Sequence, residues 1–201
     1  MSQPTSPSLP RLQCHSQARA PFNWIKLDTW NEASIKAAWD ENTPAEIKGF
    51  TVYAASKAEG ERAAFNLVKK NNPGFVFNSV LPDYTLLEGN EAVMNLIVSQ
   101  YFIDAKDLAR LLAIALLDPS VKSERLFGLA APYTWQDVID SLRELRPSAE
   151  NLVNNVPPAR EGFVQIVPTE RSKVLLGSFF GQKDWTSLKD SLDTGITGLG
   201  L

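Results

Sequence analysis

Two side chains, Tyr53 and Lys57, have a spacing that suits acid–base chemistry. They stand four residues apart, in a segment whose composition predicts a helix from Val52 to Asn71. That spacing puts the phenol and the ammonium on one helix face, within reach of one substrate. An adjacent ammonium and the positive end of a helix both favour the phenolate form. Tyr53 could then protonate a carbonyl oxygen as hydride reaches its carbon, although any amphipathic helix surface can also present such a pair.

The segments around this helix alternate between helix and strand, which predicts a βαβ-type sheet. Thr29 followed by Glu32 predicts a capping box and a short helix that ends before Pro44. The β-branched and aromatic run 75–81 predicts a mostly buried strand that ends at Pro82. The later pattern predicts strands over 101–103 and 126–130 and a loop over 147–168. It predicts four helices, over 107–117, from the Thr134/Asp137 cap to Arg146, near 170–180 and near 186–194.

Composition divides the chain into a lead and one globular unit. Residues 1–21 are rich in Pro, Ser and Gln, which predicts a disordered lead, and residues 22–201 have the composition of a folded domain. The net charge of −3 with scattered Lys and Arg predicts neither a nucleic acid nor a membrane partner. The single cysteine, Cys14, and the single histidine, His15, predict no metal site and favour a cytoplasmic setting.

Four blocks of the sequence carry a resemblance to a known family. They are YAASKAEGERAAFNLV, PGFVFNSVLP, YFIDAKDLARLLAIALLDP and ERLFGLAAPYTWQDVIDSLRELRP, in this order. Together with the upstream block DTWNEASIKAAW, they resemble fungal aldehyde and ketone reductases of the extended short-chain dehydrogenase/reductase family, which are similar to dihydroflavonol 4-reductases. The resemblance runs from about Phe22 to the end of the chain.

The resemblance implies roles for three residues. Tyr53 would be the proton donor, and Lys57 would be its partner and would bind the nicotinamide ribose. Pro82 would lie beside the nicotinamide, although its place as a strand terminator is explained equally well by the missing N–H of proline. Asp83 stands where many relatives have Asn. The implied cofactor is NADP or NAD, with NADP favoured, and the implied substrate is a small carbonyl compound.

The implied fold class is α/β: the carboxy-terminal portion of an NAD(P)-binding Rossmann-like fold, with its last parallel strands and a small substrate domain. The first βαβ units would be missing. A complete member needs a glycine-rich turn that leads into a helix and meets the pyrophosphate, and nothing before Tyr53 supplies it. We therefore expect the chain alone to reduce carbonyls poorly and to bind the cofactor weakly or not at all, and no residue is assigned as the catalytic serine.

The missing strands would leave one edge of the 75–81 strand exposed. We expect the chain to self-associate through this edge or to be marginally stable. Two other functions remain open at this point. One is a non-catalytic remnant or partner-binding fragment. The other is a cofactor-independent cyclase or isomerase of secondary metabolism, which would require a ligand-sized apolar pocket beside Tyr53.

Overall fold

A computed structural model describes residues 24–85, 100–148, 165–166 and 169–198. The expected disordered lead, residues 1–21, lies outside the described residues, as does most of the predicted 147–168 loop. The described strands are β1 (Trp24–Ile25), β2 (Ser79–Pro82), β3 (Tyr84–Thr85), β4 (Gln100–Ile103), β5 (Arg125–Gly128), β6 (Ala131–Tyr133) and β7 (Gln165–Ile166). The described helices are α1 (Glu32–Trp39), α2 (Ala45–Asn71), α3 (Ala105–Leu117), α4 (Trp135–Leu145), α5 (Thr169–Phe180) and α6 (Leu188–Gly198).

The central feature of the fold is a fork between two parallel strands. β2 and β5 pair in parallel from Ser79↔Arg125 to Pro82↔Gly128. Beyond this point their continuations, β3 and β6, separate and take up β4 between them, parallel to β3 and antiparallel to β6. The parallel pairing therefore ends at Pro82 and Gly128, and the carboxyl ends of the strands are where open α/β sheets place their ligands.

The fork is filled by a close-packed core. Ile103, at the end of β4, is fully buried beside Gly128 of β5. A Cβ atom at Gly128 would lie 2.8 Å from Cδ1 of Ile103 and 3.4 Å from Cδ1 of Leu111, so a side chain at this position would require the end of the Ile103 side chain to shift. The same core continues into α3, α5 and the segment after α3 with the buried side chains of Ile114, Val121, Leu126, Leu175 and Leu176.

Arg125, the first residue of β5, joins three parts of the chain. Its guanidinium donates two hydrogen bonds of 3.0 Å to the carboxylate of Glu61 on α2, and both side chains are nearly buried. It also donates to the carbonyl oxygens of Leu27 and Thr29 and lies 4.2 Å from the ring centroid of Trp30. The loop before α1 and the middle of α2 are thereby held at the start of the parallel sheet.

Two carboxylates of the β4–α3 turn hold the last part of the chain. The fully buried Asp107 accepts hydrogen bonds from Gln182 Nε2 and from the backbone N–H and hydroxyl of Thr186, at 2.8, 2.8 and 3.1 Å. Asp104 caps α3 and accepts from Ser191 Oγ at 2.7 Å. Their role in these contacts is structural.

Several predicted elements are present with different ends. α2 begins at Ala45 instead of Val52, because Pro44 supplies a helix-starting conformation and Gly49 is tolerated inside the helix. Thr29 does not cap α1: its hydroxyl closes a turn with Lys26, and Asn31 is the N-cap. The strand predicted over 75–81 is confirmed only for its end, Ser79–Pro82, and the prediction that it is mostly buried was wrong, because β2 is half-buried and ends at the exposed Pro82. By contrast, the capping box of Thr134 and Asp137 is confirmed at the start of α4.

Gly128→Ala tests the packing at the fork. The added methyl group overlaps Ile103, so we expect a loss of about 1–3 kcal/mol in the free energy of unfolding. Ile103→Val removes the Cδ1 atom that the methyl group meets. The double variant should therefore be more stable than the sum of the two single changes predicts, as measured by urea denaturation. Strict additivity would show that the contact does not limit this site.

Candidate active site

Tyr53 and Lys57 lie on one exposed face of α2. The Lys57 Nζ atom is 5.4 Å from the centroid of the Tyr53 ring, and the Tyr53 side chain is 60% exposed. Because α2 begins at Ala45, Tyr53 lies beyond its first two turns, where the field of the helix end has fallen off. The expected contribution of the helix end to the phenolate was therefore wrong. Lys57 is the positive charge that lies beside the phenol.

The contacts of α2 with the parallel sheet define its direction. Phe65 packs edge-on against Phe77, just before β2, with 4.9 Å between ring centroids. Glu61, one turn earlier on the helix, pairs with Arg125, which is level with Ser79 in the sheet. Moving backward along α2 therefore corresponds to moving forward along β2. The helix runs antiparallel to both parallel strands, with its first half towards their carboxyl ends.

This direction brings Tyr53 to the level of the carboxyl ends of β2 and β5. Tyr53 precedes Glu61 by eight residues, which is about 12 Å along a helix. Pro82 follows Ser79 by three residues, which is about 10 Å along a strand. Tyr53 and Pro82 therefore lie at a similar height, at the carboxyl ends of the strands. The sequence does not reveal this arrangement, because it depends on the Glu61–Arg125 pair, whose members are 64 residues apart.

Pro82 and Asp83 occupy the point where the chain leaves the parallel sheet. Pro82 is the exposed last residue of β2, as predicted. The Asp83 carboxylate accepts a hydrogen bond of 3.1 Å from the backbone N–H of Tyr101 in β4, which ties the two arms of the fork together. The Asp83 side chain still reaches solvent, but partial burial by the surrounding protein raises the pKa of its carboxyl group, and the Tyr101 N–H only partly offsets this effect.

The described residues fit one end of a nicotinamide nucleotide. Lys57 has no hydrogen-bond or ion-pair partner among them, so its ammonium can donate to ribose hydroxyls, and Tyr53 is open to a substrate carbonyl. The described ranges contain no glycine-rich turn that could hold the pyrophosphate, and no group of three or more side chains suited to a metal ion. None of the helices that the structure describes is long and apolar enough to cross a membrane.

A cavity of about 410 Å³ lies elsewhere, between β6, the start of α4 and the segment before α6. It is lined by Phe102, Ala130 to Tyr133, Asp137 and Asp184 to Leu188. Neither Tyr53 nor Lys57 contributes to it. This cavity is therefore not the pocket beside Tyr53 that a cofactor-independent cyclase or isomerase would require.

Comparisons with known proteins give one consistent result. The chain is 36% identical over 192 residues to the ketoreductase nvfG of Aspergillus novofumigatus, a match that covers 86% of this chain and 56% of the relative. It is 38% identical over 191 residues to the ketoreductase adrE of Penicillium roqueforti, covering 86% and 55%. The crystal structure of Gre2 from Candida albicans with NADPH matches with a TM-score of 0.65 at 20% identity, covering 88% and 57%. No family model matches the chain.

These matches define the class of protein. The fold is the carboxy-terminal portion of a Rossmann-like reductase fold, as predicted. The expected resemblance to the extended short-chain dehydrogenase/reductase family is confirmed, since the similar proteins include fungal ketoreductases and NAD-dependent epimerase/dehydratase proteins. It spans little more than half the length of the curated relatives that it matches.

Asp83→Asn tests whether burial raises the pKa of the Asp83 carboxyl group at the end of β2. A raised pKa means that folding disfavours the ionised Asp83 carboxyl group. The ionised group therefore lowers the free energy of unfolding at pH values above its folded pKa. This cost disappears as the pH falls to the ordinary pKa of an aspartate carboxyl group, near 4. Asparagine can still accept from Tyr101. We therefore expect Asp83→Asn to stabilise the chain at pH 7, and to do so less at pH 4, in urea denaturation.

Asp118→Asn is the matched control for this prediction. The pKa of Asp118 is lowered, because Ser120 donates hydrogen bonds to its exposed carboxylate. Its ionised form therefore favours folding above its ordinary pKa, and the substitution should destabilise the chain at pH 7 and not stabilise it. Equal effects of the two substitutions, or a gain from Asp83→Asn that grows towards pH 4, would contradict the assignment.

Proposed function

We propose that this chain takes part in the NAD(P)H-dependent reduction of a small ketone or aldehyde, with Tyr53 as the proton donor. The observation that carries the proposal is the position of Tyr53 and Lys57 together on one exposed face of α2, at the height of the strand ends. The names of the relatives support the same reaction, since they include ketoreductases and an aldehyde reductase of Sporidiobolus salmonicolor.

Each residue of the pair has a separate task. The Tyr53 hydroxyl donates a hydrogen bond to the substrate carbonyl oxygen and transfers its proton as negative charge develops there. The Lys57 ammonium, on the same face, stabilises the phenolate that remains. A bound nicotinamide nucleotide supplies the hydride. Because water screens charges at an exposed site, the effect of Lys57 on the phenolate becomes large only when the site is covered.

Lys57 and Pro82 are the residues that we propose for cofactor contacts. The free ammonium of Lys57 would hydrogen-bond the ribose hydroxyls, which also fixes the distance between the ribose and Tyr53. Pro82 would present a rigid apolar surface to the nicotinamide ring at the end of β2, where no backbone N–H competes for a hydrogen bond. We favour NADPH over NADH, since the similar Candida albicans structure contains NADPH.

We expect the chain alone to bind the cofactor weakly and to reduce carbonyl compounds slowly. Most of the contacts of a dinucleotide are made by its pyrophosphate and adenosine, and the glycine-rich turn for these groups is not found before Tyr53. Weak cofactor binding would remove the positioning that makes hydride transfer fast. We therefore propose that the 201-residue chain is an impaired reductase when it is tested alone.

Tyr53→Phe tests the proposed role of the phenol. The assay follows NADPH oxidation with methylglyoxal or isovaleraldehyde as the substrate. These two compounds appear in the name of a structurally similar yeast reductase. Loss of the hydroxyl removes the proton donor, so we expect kcat/KM to fall by about 10²–10⁴-fold. Calorimetric titration should show unchanged NADPH affinity for Tyr53→Phe and weaker affinity for Lys57→Met, because only Lys57 is proposed to bind the ribose.

Ser56→Ala is the control, since Ser56 lies between the two residues and its hydroxyl donates to the Tyr53 carbonyl oxygen at 2.7 Å. Its activity should match that of the unmodified chain. Turnover that survives in Tyr53→Phe would exclude the phenol as proton donor. An absence of NADPH binding at millimolar concentration would reject the reductase proposal for the chain tested alone.

A further inference from the structure

The helix α6 is attached to the chain with little apolar burial. None of its 11 described residues is buried, whereas α3 and α5 each bury three. Leu188 and Leu192 are only partly buried where they pack against Phe102, Tyr133 and Val138, which we call the Phe102 cluster. The hydrophobic effect therefore contributes little to holding this helix in place.

Polar contacts supply most of the attachment of α6. Ser191 Oγ donates a hydrogen bond of 2.7 Å to the carboxylate of Asp104, which is buried between β4 and α3. Two ion pairs join α6 to the end of α4: Lys189 with Glu144, and Asp193 with Arg146. All four of these charged side chains are at least 36% exposed, so each pair adds little stability and is screened by salt.

The segment just before α6 is held more firmly. The fully buried carboxylate of Asp107 accepts hydrogen bonds from Gln182 and from the backbone N–H and hydroxyl of Thr186. Between these two residues, Trp185 packs against the main core. A fixed segment followed directly by a weakly held helix is the arrangement of a hinge.

The helix itself and the space beside it also favour detachment. Gly195 lies inside α6, where glycine is less favourable than alanine, and a Cβ atom there would meet nothing within 4 Å. Ser187 and Leu188 line the cavity of about 410 Å³, so the start of α6 is not closely packed against β6. Because a helix of 11 residues is marginal in water by itself, α6 unfolds once its contacts are lost.

We propose that α6 is a strap that opens as one unit about the Thr186–Ser187 junction and uncovers the Phe102 cluster while the rest of the chain stays folded. Opening joins the cavity to the surface that lies under Leu188 and Leu192, and so forms a larger apolar groove than the closed chain offers. This inference is independent of the carbonyl reduction proposed above.

The position of the Phe102 cluster connects the strap to the fork in the sheet. Phe102 lies in β4, next to Tyr101, whose backbone N–H binds Asp83. On its other side is Ile103, which fills the base of the fork. The closed strap therefore covers the strand that lies between the two arms of the fork.

Amide hydrogen exchange of the whole chain tests the strap. We expect the amides of 192–198 to exchange at least about tenfold faster than those of 109–117 in α3, because opening of the strap does not require global unfolding. Raising KCl from about 0.1 M to about 1 M should speed exchange in 192–198 by about two- to tenfold and leave α3 unchanged, because the two ion pairs are screened.

Ser191→Ala is the discriminating variant. It removes the donor to Asp104 but favours helix formation, so faster exchange in 192–198, by about tenfold or more, would come from the lost contact. Thr194→Ala is the matched control. It also removes a hydroxyl group and favours the helix, but Thr194 Oγ1 donates within α6, to the carbonyl oxygen of Asp190 at 2.9 Å. Its exchange should be unchanged or slower.

Thiol labelling tests whether opening uncovers the cluster. Val138→Cys, combined with Cys14→Ser to remove the native cysteine, places a single thiol under the strap. Labelling should become faster with Ser191→Ala and with KCl, in step with the exchange of 192–198. Three results would overturn the proposal: protection of 192–198 equal to that of α3, equal effects of Ser191→Ala and Thr194→Ala, or a thiol that stays unlabelled while 192–198 exchange. The last result would show fraying of the helix end alone.

Discussion

The Arg125–Glu61 pair is the interaction on which the site depends. It links the first residue of β5 to the middle of α2, and the same guanidinium stacks on Trp30 and holds the carbonyls of the loop before α1. A nearly buried bidentate pair tolerates little displacement, because removing one partner leaves a charge without compensation. The height of α2 relative to the sheet, and with it the height of Tyr53, therefore follows from this contact.

The fork in the sheet lies at the same level as Tyr53, at the carboxyl ends of β2 and β5. β2 and β5 stay together up to Pro82 and Gly128 and then separate around β4, so the parallel pairing ends at these two residues. Gly128 allows Ile103 to fill the base of the fork, and Asp83 ties one arm to Tyr101 above it. The packed base of the fork contributes to the stability of the chain, whereas the side chain of Tyr53 is exposed.

Local sequence patterns predicted most of the helices and strands. They did not predict where these elements begin and end, or how far along the sheet α2 lies. The capping box at Thr134 and the apolar periodicity of α3 are encoded within a few residues, so they could be read directly. The start of α2 could not, because Gly49 weakens the helical pattern while contacts with α1 support it. The spacing of Tyr53 and Lys57 predicted a shared face. Their height along the sheet, level with Pro82, depends on the Glu61–Arg125 pair, whose members are 64 residues apart, so a local pattern cannot predict it.

Amide hydrogen exchange in an Arg125→Met variant tests the central claim most directly. Methionine keeps much of the packing volume but cannot pair with Glu61 or hold the loop carbonyls. We expect faster exchange in 24–30 and in the part of α2 around Tyr53, with no change in α3, whose core does not use this pair. Unchanged protection around Tyr53, or a uniform loss across the whole chain, would show that Arg125 does not set the position of the candidate proton donor.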